Sequence, residues 1–262
     1  MALRIYKVDS FTNTKFAGNP AGVCFLEQEM DEQWMQGIAR EMNLSETAFL
    51  LPHRNGYNIR WFTPSVEVDL CGHATLASAH VLYETGNVSP GETIVFHSKS
   101  GFLQAAKKGD WIELNFPAVT EEPVSLLPSI ALALGITAKY AGLNKFDYLV
   151  EVESEKIVRE LKPNFALLAM LPCRGVIVTA KSDSPEYDFV SRFFAPACGI
   201  DEDPVTGSAH CCLAPYWSKK LGKTEFMAYQ ASSRGGVLKL TLQGDRVLLG
   251  GQAVTVLKGE LV

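Results

Sequence analysis

The sequence predicts an α+β fold built from two similar halves, each wrapping strands around one buried helix. Three observations predict it. The stretch Phe62-Thr-Pro-Ser-Val-Glu-Val-Asp-Leu-Cys-Gly-His-Ala-Thr-Leu-Ala-Ser-Ala-His80 returns in degraded form as Phe194-Ala-Pro-Ala-Cys-Gly-Ile-Asp-Glu-Asp-Pro-Val-Thr-Gly-Ser-Ala-His-Cys-Cys-Leu-Ala214, so that Gly72-His73-Ala74 lines up with Gly207-Ser208-Ala209. Self-similarity at a distance signals repeated structural units. Both copies then run into helices that are apolar on every side, the mark of a helix buried all round. The remaining chain reads as short strands punctuated by Gly, Pro and Asn.

The elements follow in order. Residues 2–9 alternate like a strand, and a turn from Phe11 to Pro20 leads to a second strand, Ala21–Leu26. Asp31 is placed to cap a helix with apolar residues at Trp34, Met35, Ile38, Ala39 and Met42, and Asn43 to end it. Thr47–Leu51 and Tyr57–Phe62 are strand-like, and the helix opening at Gly72 runs to about Glu84, stopped by Gly86. Strands are expected near Thr93–His97, Gly101–Ala106 and Trp111–Phe116. Phe116-Pro117-Ala118, followed by Pro, Glu and Ser, marks the domain boundary. The expected domains are 1–117 and 118–251, with a strand near 252–260 returning to the first. In the second half a short helix lies near Leu127–Leu134, with strands at Tyr148–Glu151 and Gly175–Thr179. The second repeat helix runs from Ser208 to about Leu221 despite Pro215, and Gly222 ends it. Strands at Glu225–Tyr229, Gly236–Leu242, Arg246–Gly250 and Gln252–Leu257 complete the chain.

Composition narrows the classes. The 262 residues are 47% hydrophobic and 20% charged, ordinary for a globular enzyme or binding protein. A formal net charge of −5 without a Lys/Arg cluster argues against a nucleic-acid partner. Lys107-Lys108 and Lys219-Lys220 read as solvated charges. The N-terminus lacks the apolar core of a signal peptide, and no apolar run is long enough to span a bilayer. Six cysteines without CxxC spacing read as buried, reduced thiols of a cytoplasmic protein.

Chemistry is expected at the two glycine junctions. A helix beginning at Gly72, or at Gly207-Ser208, leaves its first amides without intrahelical partners and presents the positive end of its dipole. Both features favour an anion such as a substrate carboxylate. The competing reading is that Asp69 and Thr206 simply cap their own helices. Two junctions facing each other would form a small-molecule site between domains. His73 lies in the first turn, where the dipole favours the neutral imidazole. His80 and His210 read as core histidines. Asp201, Glu202 and Asp203 crowd the second loop, with Asp203 best placed to point toward a cleft. Glu46, between the first helix and the next strand, can enter a pocket, although spacing does not separate it from a surface glutamate.

Sharper chemistries are absent. Neither GxGxxG nor GxxxxGK[ST] occurs, no G-x-S-x-G elbow is present, and Cys71/His73 with His210-Cys211-Cys212 do not form a familiar zinc pattern. No metal and no cofactor is expected.

Val8-Asp-Ser-Phe-Thr, Phe16-Ala-Gly-Asn-Pro, Asn43-Leu-Ser-Glu-Thr, Phe62-Thr-Pro, Leu70-Cys-Gly-His-Ala-Thr and Glu202-Asp-Pro-Val-Thr-Gly-Ser-Ala together resemble the PhzF phenazine-biosynthesis family of the diaminopimelate-epimerase-like superfamily. The resemblance spans nearly the whole chain. It implies two pseudo-repeated domains, each a curved β-sheet or barrel around a central α-helix, with the active site in the interdomain cleft. It also implies a cofactor-independent isomerase in a biosynthetic process, acting as a cytoplasmic homodimer on a small carboxylic acid. Glu46 matches the catalytic glutamate that removes a proton and returns it elsewhere, and His73 and Asp203 match the assisting pair. Gly72, Gly207 and Ser208 match contacts to the substrate acid, and Asn19 matches a further substrate contact. A partly enclosed carboxyl suits a group that acts first as base and then as acid.

The epimerase relatives oppose two cysteines. Here Cys71 is present but Thr206 stands at the matching position, and a hydroxyl cannot replace a thiol as base at neutral pH. Cys71 is retained as a possible reactive thiol at its helix terminus. The alternatives are a cysteine-assisted racemase or epimerase, and a non-catalytic protein that binds or senses a small ligand.

Overall fold

Residues 3–261 are described by the computed structural model, so Ala2, the first residue of the expected N-terminal strand, lies outside the described residues. The chain divides into two compact units, Met1–Phe116 with Gly250–Val262, and Pro117–Leu249. The fold mixes many strands with few helices.

The first unit contains β1 (Leu3–Ser10), β2 (Asn19–Phe25), α1 (Glu32–Met42), β3 (Glu46–His53), β4 (Gly56–Phe62), β5 (Glu67–Val68), α2 (Gly72–Glu84), β6 (Ile94–Ser98), β7 (Gly101–Lys108) and β8 (Trp111–Pro117). β1 lies between β2 and the C-terminal strand Ala253–Leu261, antiparallel to both. β2 and β3 are parallel, as are β4 and β6. Parallel neighbours need a long crossover, and α1 and α2 supply the two connections. The other neighbours, β3–β4, β4–β5, β6–β7 and β7–β8, are antiparallel.

Asp31 caps α1 by accepting hydrogen bonds from the amides of Gln33 and Trp34, and Asn43 ends it in the left-handed region. Met35 and Ala39 reach a core of Ile5, Cys24, Leu26, Phe49 and Phe62. Trp34 was expected on that face but is 37% exposed at the first turn, so the buried stripe is narrower than the apolar pattern. The second helix, α2, is buried along His73–Ala79 and Val81–Tyr83 and packs on β1, β2, β3 and the C-terminal strand. Its small residues allow strands to approach from several sides.

The second unit contains β9 (Glu122–Pro123), α3 (Pro128–Leu134), β10 (Tyr140–Leu143), β11 (Asp147–Glu151), α4 (Glu155–Glu160), α5 (Phe165–Leu168), β12 (Gly175–Lys181), β13 (Phe189–Ala195), β14 (Ile200–Asp203), α6 (Gly207–Leu221), β15 (Glu225–Gln230), β16 (Gly236–Gln243) and β17 (Arg246–Gly251). β11–β12 and β13–β15 are parallel; β10–β11, β12–β13, β13–β14 and β15–β16 are antiparallel. A core of Val150, Val176, Val178, Val190 and Phe194 is covered by Ile130 of α3, Val158 of α4 and Leu168 of α5.

Several of these elements have no counterpart in the sequence expectation: β9, β10, β13, β14, α4 and α5. β13 is the instructive omission. Every residue of Phe-Val-Ser-Arg-Phe-Phe-Ala is buried, and an apolar run without alternation is ambiguous between strand and helix. Its arginine looks foreign to a core strand, yet Arg192 forks Glu202 with bonds of 2.7 and 2.8 Å and donates to the carbonyls of Val158 and Leu161.

Pro215 is accommodated within α6. A proline has no amide to bond the carbonyl four residues earlier, and here that acceptor, the Cys211 carbonyl, receives the Val119 amide at 3.0 Å. Lys219 and Lys220 are helix-end charges in the last turn of α6, where Lys219 Nζ lies 3.4 Å from Glu121 and Lys220 pairs with Glu151. No helix among the described residues is long and apolar enough to cross a membrane.

Candidate functional site

In the first unit, the ends of three strands and one helix bring together Ser10, Asn19, Glu46, Cys71 and His73. Asn19 opens β2, Glu46 opens β3, and Cys71 is the N-cap of α2. The turn before Asn19 depends on Gly18, at φ +64°, where an added Cβ would lie 2.2 Å from the Ser10 carbonyl oxygen. Only glycine combines that dihedral with that approach.

His73 is the hub. Its Nε2 lies 3.1 Å from Glu46 Oε2, and its Nδ1 lies 3.2 Å from the Asn19 amide nitrogen. Cys71 Sγ is 3.5 Å from Nδ1 and 4.0 Å from Nε2. The backbone is held too: the Ser10 hydroxyl donates to the His73 carbonyl at 2.8 Å, and the Thr75 hydroxyl to the Cys71 carbonyl at 2.6 Å. Side chains of His73 and Glu46 are 7% and 13% exposed, so the pair is nearly dry but reachable. Glu46 Oε2 is buried and makes no well-directed hydrogen bond despite its proximity to the imidazole. A basic lone pair is therefore left open.

Burial alone would lower the pKa of His73, but the neighbouring Cys71 and Glu46 outweigh it and hold the imidazole well above its ordinary value. This reverses the expectation of a neutral ring from the helix dipole. Burial, followed by the Glu46 charge, pushes the Cys71 thiol up to about 11, against the opposing pull of His73 and the Ala74 amide. Cys71 is thus a protonated thiol at neutral pH, not a resting thiolate. With Cys71 uncharged, the Glu46 carboxylate is the anion that retains the proton on His73.

Asp69 does not cap α2. Its carbonyl accepts the Ser100 hydroxyl, while the N-cap Cys71 makes no side-chain capping bond. Gly72 therefore begins α2 as a dipole end without a side-chain cap, beside the His73–Glu46 pair.

In the second unit, Asp203, Thr206, Gly207 and Ser208 gather at the start of α6. Thr206 is the N-cap without a side-chain capping bond; its hydroxyl instead donates to Asp203 Oδ2 at 2.6 Å. Buried Gln230 fixes the loop, donating to the Asp203 carbonyl at 2.7 Å and accepting the Thr206 amide at 2.8 Å. Asp203 is therefore half-buried and tied to its own loop. Ser208 is exposed, and its Oγ accepts a 3.1 Å bond from Arg174. Arg174 also forks the buried Asp147, with Nε donating to Oδ1 at 2.8 Å. His210 is a core histidine with Nδ1 2.8 Å from the Thr206 carbonyl, and burial lowers its pKa to about 4.

Sequence reasoning missed Ser10, Arg174, Asp147 and Gln230. A lone arginine in Pro-Cys-Arg-Gly and a glutamine ending a strand carry no local signature. Among the described residues, one group of three or more potential metal ligands lies together: Glu46, Cys71 and His73, whose donor atoms lie within 4.8 Å of one another. His210, Cys211 and Cys212 join no such group.

The sequence matches the family described as Phenazine biosynthesis-like protein, PhzC-PhzF, over residues 8–259. It is 59% identical over 263 residues to an uncharacterized isomerase of Halalkalibacterium halodurans, covering 100% of this chain and 99% of that one. A solved PhzF-family phenazine biosynthesis protein of Enterococcus faecalis superimposes with a TM-score of 0.96 at 45% identity, over 100% of both chains. A predicted epimerase of Pseudomonas aeruginosa shares the fold, with a TM-score of 0.79 at 20% identity over 99% of both. A match that begins at Val8 and ends at Gly259 takes in both glycine junctions, and the chain belongs to the PhzC-PhzF phenazine biosynthesis-like family.

Proposed function

We propose that the protein is a cofactor-independent isomerase that moves a proton within a small carboxylic acid. The observation that carries this reading is the His73–Glu46 pair, 3.1 Å apart, beside the uncapped start of α2. Glu46 removes a proton from a substrate carbon, and the electron pair left behind delocalises toward the substrate's acid group. The imidazolium of His73 and the first amides of α2, beginning at Gly72, stabilise that developing charge without reorganising. Glu46, now protonated, returns the proton at a second carbon. Asn19 holds the His73 ring, and its amide is a substrate contact once the ring moves toward the acid.

The start of α6 is proposed as a further element for recognising the acid, with Gly207 and Ser208 offering donors and Asp203 orienting Thr206. The order of strand pairing supports reading the units as two copies of one pattern. β1–β2 and β10–β11 are antiparallel, β2–β3 and β11–β12 parallel, β3–β4 and β12–β13 antiparallel, β4–β6 and β13–β15 parallel. Each copy would then be a curved sheet around its own helix, α2 or α6. The isomerase name of the Halalkalibacterium relative supports the reaction class. Six free thiols suit a cytoplasmic enzyme, and a homodimer is the assembly that sedimentation would test. The family's biosynthetic description makes biosynthetic acids the first substrates to try.

The cysteine-assisted racemase is disfavoured because Cys71 is held as a thiol. The test is solvent-deuterium exchange into a panel of small carboxylic acids, comparing wild type with Glu46→Gln. Exchange should fall by about 100- to 10,000-fold in the variant. Absence of exchange into acids that demonstrably bind would replace this reading with a non-catalytic binding protein.

A further inference from the structure

We propose that Glu46, Cys71 and His73 form a binding site for a borderline-soft divalent cation of the zinc type, and that occupancy shuts off proton transfer. The donor set is a carboxylate, a thiol and an imidazole, a combination that suits zinc better than the oxygen-seeking magnesium or calcium. Bonds of about 2.3 Å to sulfur and about 2.0–2.1 Å to nitrogen or oxygen, at tetrahedral angles, separate sulfur from nitrogen by roughly 3.6 Å and nitrogen from oxygen by roughly 3.3 Å. The observed Cys71 Sγ to His73 Nε2 distance is 4.0 Å, and His73 Nε2 to Glu46 Oε2 is 3.1 Å. Small side-chain movements close such a triangle around an ion.

Charge balance favours the same ion. A carboxylate, a thiolate and a neutral imidazole around a dication sum to zero, so the complex can be buried without a net charge. Binding releases the thiol proton and the imidazolium proton to solvent. The surroundings are ready for it: Glu46 Oε2 has an open lone pair, and Nδ1, the ring nitrogen facing away from Glu46, meets the Asn19 amide. With the amide turned so that its Oδ1 faces the ring, Asn19 accepts from Nδ1–H and orients a histidine that ligates through Nε2. Ser10 and Thr75 hold the backbone carbonyls of His73 and Cys71. The fourth position is left to water or to an acid.

The consequence for activity rests on the acid–base reading above, since the ion would occupy the lone pair of Glu46 and the proton position on His73. The binding itself does not. The probe is Co2+ added to the full chain, read by the visible bands of four-coordinate cobalt and by its near-ultraviolet thiolate charge transfer, with Zn2+ as displacing ion. Wild type should take up one equivalent with a thiolate band that Zn2+ abolishes. Cys71→Ala should lose the band, and Glu46→Gln should keep it while binding at least about 10-fold more weakly. A Cys173→Ser, Cys198→Ser double variant should retain it, excluding the two thiols that are not buried, and Cys71→Ser, close to cysteine in size, should repeat the loss if Cys71→Ala does not fold. No saturable uptake by wild type, or a thiolate band surviving in Cys71→Ala or lost in the double variant, would overturn the site. Deuterium exchange is scored separately with metal-free protein, so failure of catalysis and failure of metal binding are told apart. Exchange persisting at saturating Zn2+ would overturn the inhibitory half of the proposal.

Discussion

His73 Nε2 stands 3.1 Å from Glu46 Oε2 at the start of a buried helix, and this contact, together with Cys71, favours the charged imidazole. The ring would be neutral on burial alone. Instead its pKa is held well above the ordinary histidine value, with Cys71 and Glu46 overcoming desolvation.

A pH signature follows from that direction. A histidine whose folded pKa lies above its unfolded value of about 6.5 contributes stability that is fully present below that value. The contribution is lost as pH rises through the folded pKa. Urea unfolding of wild type and Glu46→Gln should therefore show its largest stability gap near pH 6 and a narrowing gap at higher pH. Imidazole NMR should find His73 still protonated at pH 7; a neutral ring there would refute the charge assignment.

His210 predicts the opposite trend on the acid side. Burial depresses its pKa from 6.5 to about 4, so the unfolded chain binds the proton more readily between those values. Stability is then lost as pH falls through that window, by up to roughly 3 kcal/mol at its lower end. His210→Gln should remove this component, seen as a shallower fall in unfolding free energy from pH 6.5 to 4. Equal slopes in both proteins would refute it.

Arg174 bridges a buried acid to an exposed hydroxyl, forking Asp147 and donating to Ser208. Asp147 is 2% exposed, so Arg174→Met leaves a buried carboxylate without its cation. Thermal and urea unfolding should register a loss of about 3 kcal/mol, the low end for a broken buried pair because the guanidinium is partly solvated. Asp147→Asn in the same chain should restore much of it. An unchanged midpoint in the single variant would show the pair to be dispensable.

Gly18→Ala should be costly for a reason outside the site. The new Cβ meets the Ser10 carbonyl at 2.2 Å in a left-handed backbone, and Ser10 anchors His73. A destabilisation of about 1–3 kcal/mol is expected, with a fall in deuterium exchange in the protein that remains folded. Wild-type stability and exchange would separate this turn from the site.

Legibility in the sequence tracked local chemistry. Asp31 and Asn43 bound α1 as read, because a cap is made from a side chain and the backbone within a turn of it. The apolar helices Gly72–Glu84 and Gly207–Leu221 were visible because burial on all sides leaves no polar stripe. β13 was missed because a fully buried apolar run carries no alternation to mark it as a strand, and its Arg192 is satisfied by Glu202, Val158 and Leu161. Trp34 shows the converse, an apolar residue in register with its stripe that is only partly covered.

The sequence by itself determined the α+β class, the family and the glycine junctions, and picked out Glu46, Cys71 and His73 as candidates for chemistry. Those features lie in composition, spacing and motif, which survive without coordinates. Tertiary structure decided the protonation of His73, the thiol form of Cys71, the tethering of Asp203 by Thr206 and the contacts of Arg174 and Gln230. Each depends on distance and burial, and electrostatic interactions strengthen steeply when water is removed from between the groups. A charge state therefore belongs to the folded site, whereas the residues that carry it belong to the sequence.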